Sequence, residues 1–110
     1  MYRASTPRHV FYFDIDPDET FKEMLITYSQ NGSIVLEKTK DDLTFDAENT
    51  EDGVQYQAFF QLTQEDTRKF NRNRPFVSVQ VRMLDRADNI VTSPIVNIQV
   101  KKVLNDEVIV

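Results

Sequence analysis

Residues 76–83 read FVSVQVRM, and apolar and polar side chains alternate through the whole stretch. Because successive side chains of a β-strand point to opposite faces, this pattern predicts a strand with one buried and one exposed face. The exposed face is polar except for Phe76, which folding alone does not explain. The side chains predicted to face the core are Val77, Val79, Val81 and Met83.

A second strand is predicted from residue 23 up to the turn at residues 31–32, and residues 24–29, MLITYS, show its period of two. Asn31 and Gly32 follow, and both residue types tolerate positive φ at little cost. The pair therefore predicts a tight type I′ turn into an antiparallel strand at residues 34–39. The residues of the second strand predicted to face the core are Met24, Ile26 and Tyr28.

A third alternating stretch, residues 54–62, reads VQYQAFFQL. Phe59 is its exception, because it falls on the face that otherwise carries glutamines. The residues predicted to share the apolar face are Val54, Tyr56, Ala58, Phe60 and Leu62.

The first predicted strand, residues 9–14, differs from these three because it does not alternate. Four successive apolar residues, Val10, Phe11, Tyr12 and Phe13, occupy both of its faces. A strand of this kind is covered on both sides or is paired with a partner.

Two helical segments are predicted from their capping residues. Asp16 can cap a single helical turn, and Pro17 suits its first position. Thr63 is a predicted N-cap with Asp66 at the third helical position, which indicates a short helix ending at about Phe70, with that ring turned to the core.

The remaining connections are polar. Residues 40–42 predict a turn and residues 49–53 a loop. A strand restarts at residues 90–91 and is interrupted by Pro94, which must lie at a sheet edge or a bulge because it cannot donate to a ladder. Residues 95–103 complete the last predicted strand.

The composition agrees with a fold built from sheets. Twelve Val, seven Ile and nine Thr outnumber six Leu and four Ala, and β-branched side chains favour strands. The pattern predicts an all-β fold, an antiparallel immunoglobulin-like β-sandwich of seven to eight strands with one short helix, as a single domain over residues 1–110. A small barrel is the alternative.

Charge and composition exclude several classes of function. The net charge of −5 opposes general attachment to nucleic acid or anionic lipid. With no Cys and one His, there is no thiolate nucleophile and no Cys-based or multi-His metal site. We therefore predict no enzyme activity and no cofactor. The sequence shows no secretory signal and no membrane span, so we expect synthesis in a host cytoplasm and no signal-directed secretion.

Two clusters of charged residues were considered as sites. Acidic residues at alternate positions resemble the start of a calcium loop, but the sixth position is Glu19 rather than Gly and the twelfth is Leu25 rather than Glu, so helix capping is the preferred interpretation. The basic run offers no aromatic platform for stacking bases, since the Phe70 ring within it is predicted to turn to the core, and the run is interpreted as a solvated face rather than a nucleic-acid site. The acidic residues are Asp14, Asp16, Asp18 and Glu19, and the basic ones are Arg68, Lys69, Arg72 and Arg74.

The residues best suited to contact a partner are apolar and not required by the core pattern. Phe59 and Phe76 are on polar strand faces, and an apolar run follows the polar residues 105–107. Such a run completes a sheet or docks on a partner. The predicted partner-contact residues are Phe59, Phe76, Val108, Ile109 and Val110.

Several phrases of the sequence carry a resemblance: STPRHVFYF, LITYSQNGSIVLEKTKDD, FFQLTQEDTRKF, VSVQVRMLDRADNIVTSPI and KKVLNDEVI. Together they resemble small phage and prophage proteins of Gram-positive bacteria that are encoded near virion structural genes. The resemblance implies an immunoglobulin-like β fold and a role in a virion or its assembly. It implies no catalytic residue.

Two functions follow as hypotheses. The first is a non-catalytic structural or assembly protein of a phage or prophage particle, which contacts copies of itself or other phage structural proteins and becomes virion-associated. The second is a ligand-binding module, for example for carbohydrate, of a phage or bacterial surface assembly.

Overall fold

The fold is taken from a computed structural model, which describes residues 1–2, 4–71, 76–93 and 95–99, the last four by their backbone alone. Two short helices, a 3₁₀ turn at Lys40–Asp42 and eight strands make up this part of the chain. The helices are α1 (Pro17–Thr20) and α2 (Gln64–Arg68). The strands are β1 (Arg8–Phe13), β2 (Phe21–Gln30), β3 (Ser33–Thr39), β4 (Thr44–Thr50), β5 (Gly53–Gln61), β6 (Phe76–Asp85), β7 (Ile90–Thr92) and β8 (Val96–Gln99).

The strands form two antiparallel sheets, which confirms the predicted all-β class and a sandwich-like architecture. One sheet has the order β1-β5-β4; the other has the order β3-β2-β6-β7, with β8 also paired to β6. Aromatic rings join the two sheets, since Tyr28 of β2 lies 6.3 Å from Phe60 of β5 between ring centroids. Phe13 of β1 likewise lies 6.4 Å from Phe21 of β2.

The alternating strands bury the faces that their sequences predict. The core-facing residues predicted in β2 and β6 are all buried, as are Ala58, Phe60 and Leu62 in the third alternating stretch. Val54 lies at the far end of β5 and remains 45% exposed, contrary to its predicted place on the apolar face. Here β5 pairs with the exposed end of β4, which supplies no cover.

The strand order differs from the constant-type immunoglobulin arrangement. That arrangement places the second strand between the first and fifth strands and the third strand beside the sixth. In this chain β2 lies between β3 and β6, and β1 pairs with β5 directly.

The strands β7 and β8 share one edge of β6. β7 pairs with Arg82–Leu84 and β8 with Phe76–Val79. Between them Ser93 continues the ladder, because its backbone N–H donates to the carbonyl of Val81 and its hydroxyl accepts the N–H of Val81. Pro94 lies outside the described residues, and so do residues 100–103 of the predicted last strand; the strands on either side of Pro94 are at the sheet edge.

Of the predictions for the two hairpin turns, the structure confirms one and corrects the other. Asn31 and Gly32 both have positive φ and connect β2 to β3, which confirms the predicted tight turn. The predicted loop at residues 49–53 is wrong at both ends, because β4 continues to Thr50 and β5 begins at Gly53, paired with each other. The side chains at this hairpin end are exposed on both faces, so no alternation marks the strands there.

Both predicted helix caps are confirmed. The carboxylate of Asp16 accepts the backbone N–H groups of Asp18 and Glu19 at the start of α1. The hydroxyl of Thr63 accepts the N–H of Asp66 at the start of α2, and the Asp66 carboxylate accepts the N–H of Thr63. Phe70 is fully buried, as predicted.

Candidate functional site

Among the described strands, the two sheets of the sandwich differ in width. The larger sheet has four strand positions, with β7 and β8 sharing the fourth, whereas the smaller sheet has three strands. The resulting groove is about 610 Å³ and is lined by all of β1, by Val79, Val81 and Met83 of β6, and by Ser93. We call it the open groove.

Some apolar side chains in the open groove, or on the strand beside it, remain partly exposed to solvent. Val91 lies opposite Met83, so it points to the same inner face of its sheet, yet it is 45% exposed. Phe11 and Phe13 pack against the core and are only partly buried. Apolar surface of this kind leaves about 25 cal/mol per Å² of burial unrealised.

Within the described part of the chain β1 pairs with β5 on one side, and its other edge lies toward the groove. The N–H of Leu62 donates to the carbonyl of Pro7, which fixes residues 7 and 62 as a hydrogen-bonded pair. In an antiparallel ladder such pairs recur every second residue, so the odd residues of β1 bond to β5. The N–H and C=O groups of Val10 and Tyr12 therefore point away from β5, to the side of the groove.

A second apolar surface lies on the outer face of the larger sheet. Ile34, Phe76 and Ile95 are 63%, 57% and 62% exposed, and we call these three residues the outer patch. Ile34 and Ile95 border one shallow depression of about 280 Å³ that also contains Ser29 and Ser78. Phe76 precedes Ser78 by two residues on the same strand face.

The two predicted contact phenylalanines lie on different sheets. Phe59 is on the outer face of the smaller sheet, half-buried, with the guanidinium carbon of Arg8 4.5 Å from its ring centroid. Phe76 is on the outer face of the larger sheet, so the two do not belong to one continuous patch. The other predicted contact residues, Val108, Ile109 and Val110, lie outside the described residues.

His9 forms a partly buried pair with Tyr28, between the two sheets. Its Nδ1 lies 2.5 Å from the Tyr28 hydroxyl oxygen. Burial, and after it the positive N-terminal amine, lowers the pKa of His9, while burial and then the Asp66 carboxylate raise the pKa of Tyr28. Both shifts favour the neutral forms of the two side chains, which share this hydrogen bond.

An ion pair fastens α2 to the edge strand of the larger sheet. The Nζ of Lys38, on β3, lies 3.1 Å from a carboxylate oxygen of Asp66. Burial by itself would raise the pKa of Asp66, but the backbone N–H of Thr63 and the Lys38 ammonium bind the charged form and hold that pKa below its usual range.

The charged clusters have structural partners. Asp16 caps α1, and Asp18 pairs with Lys40 at 3.2 Å. Within the described ranges no group of three His, Asp or Glu side chains could hold a metal ion. Lys69 follows α2 and is exposed; Arg72 and Arg74 lie outside those ranges. None of the described helices is long and apolar enough to cross a bilayer.

The open groove, Ile34 and Ile95 were missed as candidate sites in the sequence. The sequence of β1 did indicate incomplete burial, because its apolar residues occupy both faces of the strand. Ile34 and Ile95 carried no signal of their own, because single apolar residues at strand ends are common on protein surfaces.

Comparison with protein-family models, with curated proteins and with solved structures finds no match to this chain. The assignment of function therefore depends on the surfaces described above.

Proposed function

We propose that the protein is a non-catalytic structural or assembly protein of a phage or prophage particle, built in a host cytoplasm, that acts through protein-protein contacts. The outer patch is the observation that carries the contact role. The phage context comes from the sequence resemblance and is part of the proposal.

The outer patch has the composition of an interface centre. Two of its exposed residues, Ile34 and Ile95, border a depression that also contains the short uncharged side chains of Ser29 and Ser78, with Glu37 and Arg82 among its other lining residues. Interfaces combine an apolar centre, depleted of charge, with a polar rim. Burying one Phe or Ile side chain contributes about 1.5–3 kcal/mol, so two or three such residues support specific association.

The outer patch is tested by association of the purified protein with itself. Sedimentation velocity over a wide concentration range should show concentration-dependent association. Phe76→Ser and Ile34→Ser should each weaken it about 10- to 100-fold, which corresponds to about 1.4–3 kcal/mol. Ile15→Ser is the matched control, because Ile15 is 51% exposed at the opposite end of the sandwich; it should leave association unchanged.

Two results would contradict this part of the proposal. One is an association that Phe76→Ser and Ile34→Ser leave as strong as in the unchanged protein. The other is a chain that stays monomeric at every concentration and binds immobilised glycans, which would favour the ligand-binding alternative.

The phage context needs its own test. Particles purified from a host that carries the gene should contain this chain at a fixed ratio to the capsid protein, measured by quantitative mass spectrometry. Particles that form normally and lack the chain, both when finished and at the assembly stage, would exclude the structural and assembly role.

The finer fold class is also proposed. We propose that the sandwich belongs with immunoglobulin-like folds in the broad sense, since many domains share that architecture without sharing the strand order. An experimental structure with β2 between β3 and β6 and no superposable immunoglobulin-like domain would place it outside that group.

A further inference from the structure

The hairpin that joins β4 to β5 extends past the end of β1. The last residue of β1, Phe13, pairs with Tyr56, whereas β4 and β5 remain paired with each other as far as Thr50 and Gly53. From Tyr56 to Gly53 the hairpin therefore continues about 10 Å beyond β1, at ~3.3 Å per residue. All residues of the range 46–55 are exposed, and we call this range the hairpin arm.

The charges of the hairpin arm are all negative, because four of its residues are acidic and none is Lys or Arg. β4 stands at one end of the strand order β1-β5-β4, and charged side chains on such a strand oppose its pairing with an identical strand. Two arms side by side would bring like charges together. The arm therefore fits a positively charged surface. Its acidic residues are Asp46, Glu48, Glu51 and Asp52.

Positive charge is concentrated at the other end of β5. Gln61, the last residue of β5, lies about 26 Å from Gly53 at ~3.3 Å per residue and is paired with Arg8. Lys69 follows α2, which comes directly after this end of β5, and is exposed. Burial first and then the positive N-terminal amine lower the pKa of His9, which places the amine near the same end. We call this region the basic end.

The positive groups of the basic end outnumber the acidic ones. Lys38 and Asp66 neutralise each other as an ion pair. The other acids nearby are Asp42, in one depression with Arg8, and Glu65 of α2. The positive groups beside this ion pair are Arg8, Arg68, Lys69 and the N-terminal amine.

We propose that the hairpin arm of one copy of this chain docks on the basic end of a second copy, so that copies join head to tail. The inference rests on the contact role proposed above, but it uses other residues than the outer patch. Complementary charges steer the two surfaces together and disfavour contacts between like ends. Because the two surfaces lie at opposite ends of β5, the contact is heterologous, and each added copy offers an arm for the next.

The test uses the full-length variant Phe76→Ser/Ile34→Ser, so that the outer patch does not contribute. In ~0.1 M salt, sedimentation velocity should show concentration-dependent association that continues beyond a dimer. In ~1 M salt this association should weaken at least about tenfold, because the Debye length falls from ~10 Å to ~3 Å. Salt does not screen the apolar contacts of the outer patch, so the two kinds of contact are measured separately.

Charge reversal then identifies the two surfaces. In the same variant, Glu48→Lys/Glu51→Lys/Asp52→Lys makes the arm positive. Arg8→Glu/Lys69→Glu makes the basic end negative. Each set of substitutions should weaken association at least about tenfold, since like charges then face each other. An equimolar mixture of the two proteins should associate again, because a positive arm meets a negative end.

The matched control places the same kind of reversal elsewhere. Glu23 and Glu37 are exposed on the larger sheet, away from the hairpin arm. Glu23→Lys/Glu37→Lys in the same variant should leave association within about twofold.

Cross-linking covers the case in which a reversed protein does not fold. Unlabelled and isotope-labelled copies of Phe76→Ser/Ile34→Ser are mixed and treated with a water-soluble carbodiimide. Peptides should then join Lys69 of one copy to Glu51 or Asp52 of another. Lys69→Arg keeps the positive charge and removes the amine, so it should abolish this cross-link and leave association within about twofold.

Several results would overturn the proposal. They are a Phe76→Ser/Ile34→Ser protein that stays monomeric, association that neither salt nor the reversals weaken, and the absence of the cross-link between copies. Association that stops at a dimer would place two copies side by side and also overturn it. An unchanged protein that associates while Phe76→Ser/Ile34→Ser is monomeric would leave the outer patch supported and exclude the arm.

Discussion

The strands β2 and β1 both contribute to the core, but they differ in what lies beside them. β2 is flanked by β3 and β6, and its inward residues are completely or almost completely buried. β1 pairs with β5 on one side and borders the open groove on the other, and its apolar residues remain partly exposed. Regular alternation is thus found in β2, which has a neighbouring strand on each side. The apolar run on both faces is found in β1, whose apolar side chains are not fully buried.

The largest expected effect comes from truncating one side chain in each strand, which tests this difference in burial directly. Ile26 of β2 is fully buried, so Ile26→Ala should lower the free energy of unfolding by about 2–5 kcal/mol through lost burial and a cavity. Val10→Ala on β1 removes a half-exposed side chain and should cost less than about 1 kcal/mol. Urea unfolding measures both. Equal losses in the free energy of unfolding would show that β1 is packed as completely as β2, which would contradict the difference in burial between the two strands.

The second effect concerns the side of the sandwich away from the open groove, where Asp66 connects α2 to Lys38 of β3. Asp66→Asn should lower the free energy of unfolding by about 1–3 kcal/mol at pH 7, because it weakens the cap at Thr63 and removes the ion pair. Asp52→Asn, in the exposed turn between β4 and β5, is the matched control and should change little.

The pH dependence of this effect follows from the pKa of Asp66. That pKa is lower in the folded protein than the ordinary 3.8, so the unfolded chain takes up a proton first as the pH falls. The stabilisation is complete well above pH 3.8 and is lost as the pH drops through the folded pKa. The difference between Asp66→Asn and the unchanged protein should therefore shrink on strong acidification. A difference that is constant with pH would show that the charge of Asp66 contributes to stability through neither Thr63 nor Lys38.

The same contrast explains how far the sequence could predict the fold. Alternation in β2 and β6 identified the buried faces, and the turn at Asn31-Gly32 and the caps at Asp16 and Thr63 are local features that short segments determine. The position of β2 in the sheet of β6 could not be predicted, because periodicity tells which face of a strand is buried and not which distant strand lies beside it.

The candidate sites were predictable to a smaller degree. Phe76 stood out against a polar strand face and is exposed on the outer patch. Phe59 stood out in the same way, but Arg8 covers it, and nothing in the spacing of the two residues indicated that contact. The open groove depends on the difference in width between two sheets, which becomes known once every strand pairing is known.

The smallest expected effect lies where the two compared strands meet, at the pair of His9 and Tyr28. The pKa of His9 is lower in the folded protein than its ordinary value of 6.5, so below pH 6.5 the unfolded chain binds a proton more readily than the folded one. Stability is therefore full above pH 6.5 and falls as the pH drops toward the folded pKa, by at most ~1.4 kcal/mol per pH unit for one proton. His9→Phe keeps a ring against Phe60 and removes the titrating group, so its unfolding free energy should lack this slope between pH 6.5 and pH 5. If both proteins lose stability equally over this range, His9 takes up its proton in the folded protein as readily as in the unfolded chain, and the partly buried contact with Tyr28 does not favour the neutral imidazole.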